Sequence, residues 1–449
     1  MELPSVIGEG AYGCIHKPSL KCKDSKIQNY KNKVSKVLQK SKAKQELEEY
    51  GAINQADQSN EYYLGIPVEC DVDNTPTNIQ AIEKCDNGKE LLKNLDDLSL
   101  LIMEDGGLNS KDYATLMGKW PATPEYVEKT ERFLIEFHRI FHGINVFLEN
   151  GILHFDMKPQ NIVYSDKSTQ MRIIDFGLTV SLKDKITQTN NSTNSMARFH
   201  WSYPFEFYFL NKNTYDQVAT MSKPEKDELF QTILQKIATE KSDISIPIKT
   251  FFSFVYDQTT ESARFTEHMA NFYQTLFEIT KQNYENFVKK SLSSVDVYGL
   301  GISLLYVLKN IKHLIKEKIY ADLYELGNNM MNAQLSKRIT SNAALAQYET
   351  ILTENGIMAN HRVSFTNHKI VQGEILPTYI EKSIQSVKLD DVLLNNTALE
   401  KNAISVDIAH KEPLATKAKP KKAKKTAKKR PGRPKKTNKK QSLLQVFSR

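Results

Sequence analysis

The chain has 449 residues, 40% of them hydrophobic, which is enough for one large or two ordinary folded domains. Its formal charge of +8 averages two unlike parts: residues 411–449 carry +15, with Glu412 the only acid, and residues 1–410 carry −7. Four cysteines (Cys14, Cys22, Cys70, Cys85) show neither Cys-x-x-Cys spacing nor partner histidines. That argues against a zinc site and fits a reducing compartment. No signal peptide and no apolar run of membrane-spanning length is evident, so a soluble intracellular protein with no membrane partner is expected.

Near the start, Gly8, Gly10 and Gly13 fall at the G-x-G-x-x-G spacing, followed by the apolar Ile15. Glycine lets backbone approach phosphate oxygens without a Cβ clash. Alone, the spacing would also suit a dinucleotide fold, but no acidic residue closes a βαβ unit in the usual way. Residues 34–38 read as a strand carrying Lys36, with Lys33 and Lys40 nearby. Residues 43–55 turn helical: Leu47, Tyr50 and Asn54 share one face, and Glu49 with Ile53 form an i, i+4 pair. Residues 62–68 and 98–103 look like further strands, separated by a polar, Asn/Asp-rich stretch over 69–97 that reads as an insertion. Met103-Glu104-Asp105-Gly106-Gly107 closes the second of them. Thr123-Pro124-Glu125 then starts a helix. Val127, Leu134, Phe137, Phe141, Ile144 and Leu148 give it an apolar face, and it ends near Asn150-Gly151.

The stretch that follows concentrates the chemistry. His154-Phe155-Asp156-Met157-Lys158-Pro159-Gln160-Asn161 places a carboxylate, a lysine and a carboxamide at i, i+2 and i+5. Asp175-Phe176-Gly177 comes 19 residues after Asp156. Phosphoryl transfer needs such a set: a group to orient a hydroxyl, a cation for the γ-phosphate and oxygen donors for a divalent metal.

These ordered motifs resemble the catalytic loop and metal site of the eukaryotic-type protein kinase superfamily. The resemblance implies an α+β, bilobal protein-kinase fold, with a small β-rich N-lobe over about 1–106 and a large helical C-lobe over about 107–350. It implies ATP and Mg²⁺ as cofactors and protein substrates bearing Ser or Thr. Asp156 would orient the substrate hydroxyl and accept its proton, and Lys158 would neutralise the γ-phosphate. Asn161 and Asp175 would hold Mg²⁺. Gly8, Gly10, Gly13 and Ile15 would cover the nucleotide, and Lys36 would contact its α- and β-phosphates. Glu49 is the first choice for the glutamate that holds Lys36, with Glu46 the alternative. Met103 would back the pocket, with the backbone from Glu104 to Gly106 at the adenine edge. Phe155 stands where the family commonly has Arg, which implies that activation through a phosphorylated segment is not needed.

Farther on, Trp201-Ser202-Tyr203-Pro204-Phe205-Glu206 resembles the Ala-Pro-Glu close of the activation segment, with Phe205 inserted. Residues 207–290 read as a helical insertion: Phe230, Ile233, Leu234 and Ile237 suggest one helix, and Phe272, Leu276, Ile279 and Phe287 another. Ser294-Val295-Asp296-Val297-Tyr298-Gly299 resembles the family's buried helix, whose Asp binds the catalytic-loop backbone. Arg338 is expected to pair with Glu206. The wording of these motifs also resembles serine/threonine kinases of large nucleocytoplasmic DNA viruses.

Residues 351–410 read as a linker, and 411–449 as a Lys/Ala/Pro-rich tail that cannot bury a core. Within the tail, Arg430, Gly432, Arg433 and Pro434 resemble an AT-hook, a motif that enters the narrow minor groove. Pro431 stands where the hook has Arg, and a localisation signal or general polyanion-binding tail fits as well. The tail would suit a nucleus, a virion or a cytoplasmic viral factory. The alternative to a DNA-tethered enzyme is a catalytically weak kinase-fold scaffold held on DNA by its tail.

Overall fold

A computed structural model describes residues 3–372 apart from 11–12, 25–26, 192–199 and 240–244. The 373–449 region, including Arg430, Gly432, Arg433 and Pro434, lies outside the described residues.

The upper lobe is a five-stranded antiparallel sheet in the order β1-β2-β3-β5-β4. Its strands are β1 (Ser5–Gly10), β2 (Gly13–Lys17), β3 (Lys33–Gln39), β4 (Val68–Asp71) and β5 (Leu98–Glu104). One helix, α1 (Lys40–Ala56), follows β3 directly and buries Ala43, Glu46, Tyr50 and Ile53. The expected strand over 62–68 is shorter than its sequence pattern: Tyr63 makes a single bridge to Ile173 and only Val68 enters the sheet. The 69–97 insertion folds into α2 (Pro76–Ile82), α3 (Gly88–Leu91) and a helical turn. Ala81 and Ile82 join a core with Val37, Leu98, Leu100 and all four cysteines.

The cysteines are paired, Cys14 with Cys85 and Cys22 with Cys70. No pairing was expected of them. Each pair joins residues 48 or more apart in sequence, a proximity that local spacing does not reveal. Disulfides persist in oxidising surroundings, so the pairing removes the support that cysteine scarcity lent to a reducing compartment. His16 lies beside the Cys14–Cys85 bond, within 4 Å of both sulfurs, although no histidine was expected to partner the cysteines.

The lower lobe is helical. It opens with β6 (Leu108–Asn109), α4 (Ser110–Met117) and the long α5 (Pro124–Glu149), which keeps the boundaries read from its Pro and Gly signals. Short strands β7 (Ile152–Leu153), β8 (Ile162–Ser165), β9 (Gln170–Ile173) and β10 (Val180–Ser181) carry the loops of the site, and α6 (Leu182–Asn191) follows. The insertion supplies α7 (Lys212–Thr220), α8 (Lys223–Ala238), α9 (Ser245–Val255) and α10 (Gln258–Glu278). Its last expected helix is broken after Ile279, so Phe287 belongs to the next helix, α11 (Tyr284–Ser293).

The centre of this lobe is α12 (Val295–Ile311), flanked by α13 (Glu317–Met330) and α14 (Ser341–Glu354). The run Tyr284–Leu314 is long and apolar enough to cross a membrane, contrary to the sequence expectation, and 83% of its apolar window is buried inside the lobe. The ordered unit does not stop at 350. α14 passes that point, and α15 (Ile357–Asn360) and a hairpin of β11 (Val363–Thr366) and β12 (Lys369–Gln372) follow. Ile357 and Met358 are buried, which is why the first part of the expected linker is folded.

Candidate active site

The site lies where β3, α1 and the loops around β8 and β9 meet. Gly8 and Gly10 are on β1 and Gly13 opens β2, so the glycine spacing forms an antiparallel hairpin. Ile15 on β2 pairs with Lys36 on β3, and Lys36 with Leu101 on β5. The residues over the cleft and the lysine within it are thus held in one ladder.

Lys36 Nζ donates to Glu46 Oε2 at 2.8 Å and Oε1 at 3.0 Å, and to Asp175 Oδ1 at 3.2 Å. Glu49, the first choice from sequence, does not hold the lysine. The buried stripe of α1 runs 43-46-50-53, which aims Glu46 at the sheet. Glu49 instead lines a separate cavity with Asn150, Val180 and Lys185. Burial acts to lower the Lys36 pKa, but the Asp175 and Glu46 carboxylates outweigh it and hold the ammonium above its usual range. Burial raises Glu46, partly offset by Lys36. For Asp175, burial is opposed and outweighed by Lys36, with His154 and Lys158 adding to the pull, so its carboxyl is held below the usual range.

Phe176 fixes this orientation. Its ring meets Tyr50 of α1 edge-on at 5.2 Å and contacts His154, Tyr63 and Phe147. With the aromatic side chain buried beneath α1, the adjacent Asp175 faces Lys36.

Asp156 is buried, and its Oδ2 accepts from Lys158 Nζ at 2.7 Å and Asn161 Nδ2 at 2.9 Å. Asn161 Nδ2 also donates to the Asp156 carbonyl. The loop is held from below by Asp296 on α12, whose two carboxylate oxygens accept the backbone N–H groups of His154 and Phe155 at 2.8 and 2.9 Å. Ser110 Oγ of α4 lies 3.0 Å from both the Pro159 and Ile162 carbonyls. The backbone at Phe155 and Asp175 is left-handed, with φ of 65° and 63°, a strained state for a side chain without a polar turn role, held on the two arms of the site.

With its Nδ2 committed to Asp156, Asn161 has only Oδ1 left to ligate, and Asp175 keeps its second carboxylate oxygen beyond the Lys36 contact. A carboxylate and a carboxamide oxygen fit a hard divalent cation such as Mg²⁺. Met103 packs on the Leu38–Leu101 cluster. The Glu104 side chain turns outward to Lys33, and the Asp105 N–H is spent on the Asn32 carbonyl at 2.8 Å. Gly106 lies against Val163 and Leu64.

Two further contacts shape the site from outside its motifs. Lys185 of α6 stands 4.8 Å over the Phe155 ring, and α6 is further tied to α11 by Tyr284 Oη donating to the Thr189 carbonyl. Phe205, the residue inserted before Glu206, is buried among Phe251, Phe252, His268 and Phe272, so it anchors the insertion to the activation segment.

The protein kinase domain family matches residues 96–201, which run from β5 through the loop at Asp156 and past Asp175. A calcium-dependent protein kinase 22 of Oryza sativa subsp. japonica is 38% identical over 73 residues, 15% of this chain and 13% of that protein. A serine/threonine-protein kinase of Dictyostelium discoideum is 36% identical over 71 residues, 15% of this chain and 7% of that protein. A mitogen-activated protein kinase kinase kinase 7-like protein of Drosophila melanogaster is 28% identical over 119 residues, 26% of this chain and 28% of that protein. The chain spans less than a third of the length of each of these relatives. The fold is the bilobal protein-kinase fold, and the family match and relatives support a place in the eukaryotic-type protein kinase superfamily.

Proposed function

We propose that the chain is a protein serine/threonine kinase that transfers the γ-phosphate of ATP to a protein hydroxyl. The observation that carries this reading is the joined set of Lys36, Glu46 and Asp175, with Phe176 seated under α1. A lysine held by two carboxylates suits the phosphate-binding and metal-binding side of a phosphoryl-transfer site.

Mg²⁺, held by Asn161 and Asp175, would neutralise charge on the transferred phosphoryl group. Lys36 would hold the α- and β-phosphates, kept extended by Glu46. The backbone at Glu104 and Gly106 would meet the adenine edge. Asp156 would orient the incoming hydroxyl and take its proton, while Lys158 would offset the γ-phosphate charge. The resemblance of the motifs to viral kinases, and a basic tail suited to DNA or another polyanion, support the reading that the activity works in a DNA-rich compartment, whether viral factory, virion or nucleus.

The test is transfer from labelled ATP with Mg²⁺ onto a generic basic protein. Wild type should phosphorylate it, and Asp156→Ala should lose about 10²–10⁴-fold in rate, the usual contribution of a positioned acid–base group. No transfer by folded wild type would favour a kinase-fold scaffold. Removal of 411–449 should leave peptide phosphorylation in place and abolish salt-sensitive DNA binding.

A further inference from the structure

We propose that the Cys14–Cys85 disulfide is a thiol–disulfide exchange site, through which a small thiol of the glutathione class opens and closes the tie between the 69–97 insertion and the glycine-bearing hairpin. Its state sets nucleotide affinity, a consequence that rests on the nucleotide-binding reading of the cleft.

Placement carries the inference. Cys14 follows the third glycine directly and pairs with Glu9 across the hairpin, so it sits at the end that overhangs the cleft. Cys85 lies just past α2. Around this bond, the insertion meets the hairpin by two further links: the Asp86 N–H donates to Glu9 Oε1 at 3.0 Å, and His16 Nε2 contacts the Ala81 carbonyl at 3.1 Å. Cys22–Cys70 differs. The backbone beside it is already paired through Lys23 N–H to the Asp71 carbonyl and Asp73 N–H to the Lys21 carbonyl. Opening that bond leaves its two segments in register.

The adjoining cavity and the fate of the freed sulfurs also bear on Cys14–Cys85, although all four cysteines are buried. Both cysteines line a cavity of about 480 Å³, together with Gly13, Lys42, Asp86 and Leu91. That lies within the range of about 300–1,000 Å³ that admits small molecules. Glu9 Oε1 is 3.6 Å from Cys14 Sγ, and His16 Nε2 is 3.9 Å from Cys14 Sγ and 3.7 Å from Cys85 Sγ. A disulfide donates no hydrogen bond, whereas a thiol at Cys14 has a carboxylate acceptor waiting. Both oxidation states therefore fit the same pocket.

The exchange is balanced. A thiolate attacks one protein sulfur, forming a mixed disulfide and releasing the other cysteine as a thiolate that takes up a proton. A second thiol attacks the mixed disulfide and frees the remaining cysteine. Two electrons pass from two small thiols to the protein disulfide, and the small disulfide is the product. The oxidised small disulfide drives the reverse reaction.

The test treats the full chain with graded dithiothreitol and follows each disulfide by differential alkylation and mass spectrometry. Affinity for a non-hydrolysable ATP analogue with Mg²⁺ and amide exchange of residues 5–17 are read in parallel. Cys14–Cys85 should open first, hairpin exchange should accelerate, and analogue Kd should rise about tenfold if the closed hairpin falls to about a tenth of the population. Cys22→Ser/Cys70→Ser should keep this response, and Cys14→Ser/Cys85→Ser should be locked in the weak state. The graded wild-type series decides the matter where a serine variant does not fold. Unchanged affinity and unchanged hairpin exchange with Cys14–Cys85 open would overturn the proposal. So would isolation of both cysteines as thiols around stoichiometric zinc that oxidised glutathione does not displace. Failure of the analogue to bind in either state would refute the nucleotide reading alone, and hairpin exchange would then decide whether the disulfide ties the hairpin.

Discussion

Gly299 of α12 lies directly beneath Met157: a Cβ on Gly299 would stand 2.1 Å from the Met157 carbonyl oxygen. The helix can therefore approach the loop closely enough for Asp296, one turn earlier, to take the backbone N–H groups of His154 and Phe155. Gly299→Ala should push loop and helix apart. The contact is backbone against a main helix, so no side chain can swing away. A loss of about 1–3 kcal/mol is expected from overpacking, with a larger relative loss of phosphotransfer because Asp156 moves with the loop. Thermal unfolding and a rate assay check this, and a variant equal to wild type in both would refute it.

The pairing of Lys36 with Glu46 rather than Glu49 separates two neighbouring carboxylates on one helix. Glu46→Gln should lower phosphotransfer by roughly 10-fold or more, since a lost charge-assisted hydrogen bond is worth about 1.5–3 kcal/mol. Asp175 still holds the lysine, so activity should not vanish. Glu49→Gln should stay near wild type. Equal losses in the two variants would show that α1 is rotated from the orientation described.

Arg338 and Glu206 form a buried two-pronged pair, with Nη2 to Oε2 at 2.9 Å and Nη1 also meeting Ser294 Oγ at 2.9 Å. Both side chains are essentially sealed from solvent, at 1% and 0% exposure. Arg338→Ala would leave a carboxylate with no partner in the interior, at a cost of about 3–5 kcal/mol. A denaturation midpoint matching wild type would count against this.

The residues that touch one another through short, ordered motifs were legible before the fold was known. Asp156, Asn161 and Asp175 sit in loops whose spacing is dictated by chemistry, and α5 was bounded correctly because Pro124 and Gly151 punctuate it. Arg338 with Glu206, 132 residues apart, was legible only through the family resemblance. What escaped depended on long-range proximity. The turn of α1 that faces the sheet is decided by packing against Phe176, so Glu46 and Glu49 look alike in sequence. The disulfides join Cys14 of β2 and Cys22 of the loop after it to a stretch about which no pattern speaks, although Cys14 and His16, two apart on a strand, share a face and offered a hint. The folded end beyond residue 350 was missed because β11 and β12 are short and mostly polar on their outer side.

Lys185 stands over the ring of Phe155, the residue that the family resemblance puts where an arginine would otherwise await a phosphate. Together with the Tyr284–Thr189 bond, it holds α6 without a phosphorylated partner. Phosphatase treatment of active protein should change its rate by less than about twofold, and Lys185→Ala should lower it modestly, as a cation–π contact contributes about 0.5–2 kcal/mol. Abolition of activity by phosphatase would show that a phosphate, not this contact, orders the segment.

Acid should unfold the protein partly through two histidines, the buried His268 and the half-buried His142. Burial, with the positive charge of Arg338 second, pushes His268 down to about 3, and burial with nearby His138 pushes His142 down to about 4, from an ordinary 6.5. The unfolded chain takes up these protons near pH 6.5 while the folded protein refuses them until pH 4 or below. Their contribution to stability is therefore complete above about pH 6.5 and is lost as the pH falls toward the folded values, at about 1.4 kcal/mol per pH unit for each histidine. His268 lies in a cage of Phe205, Phe251 and Phe252, and its Nε2 has no partner among the described residues. His268→Phe removes both the orphaned nitrogen and the titration. It should be close to neutral at pH 7, where the gain from deleting an unsatisfied polar atom offsets the larger ring. At pH 5 it should be more stable than wild type by about 2 kcal/mol. Parallel pH–stability curves for the two proteins would mean that His268 binds its proton as readily folded as unfolded.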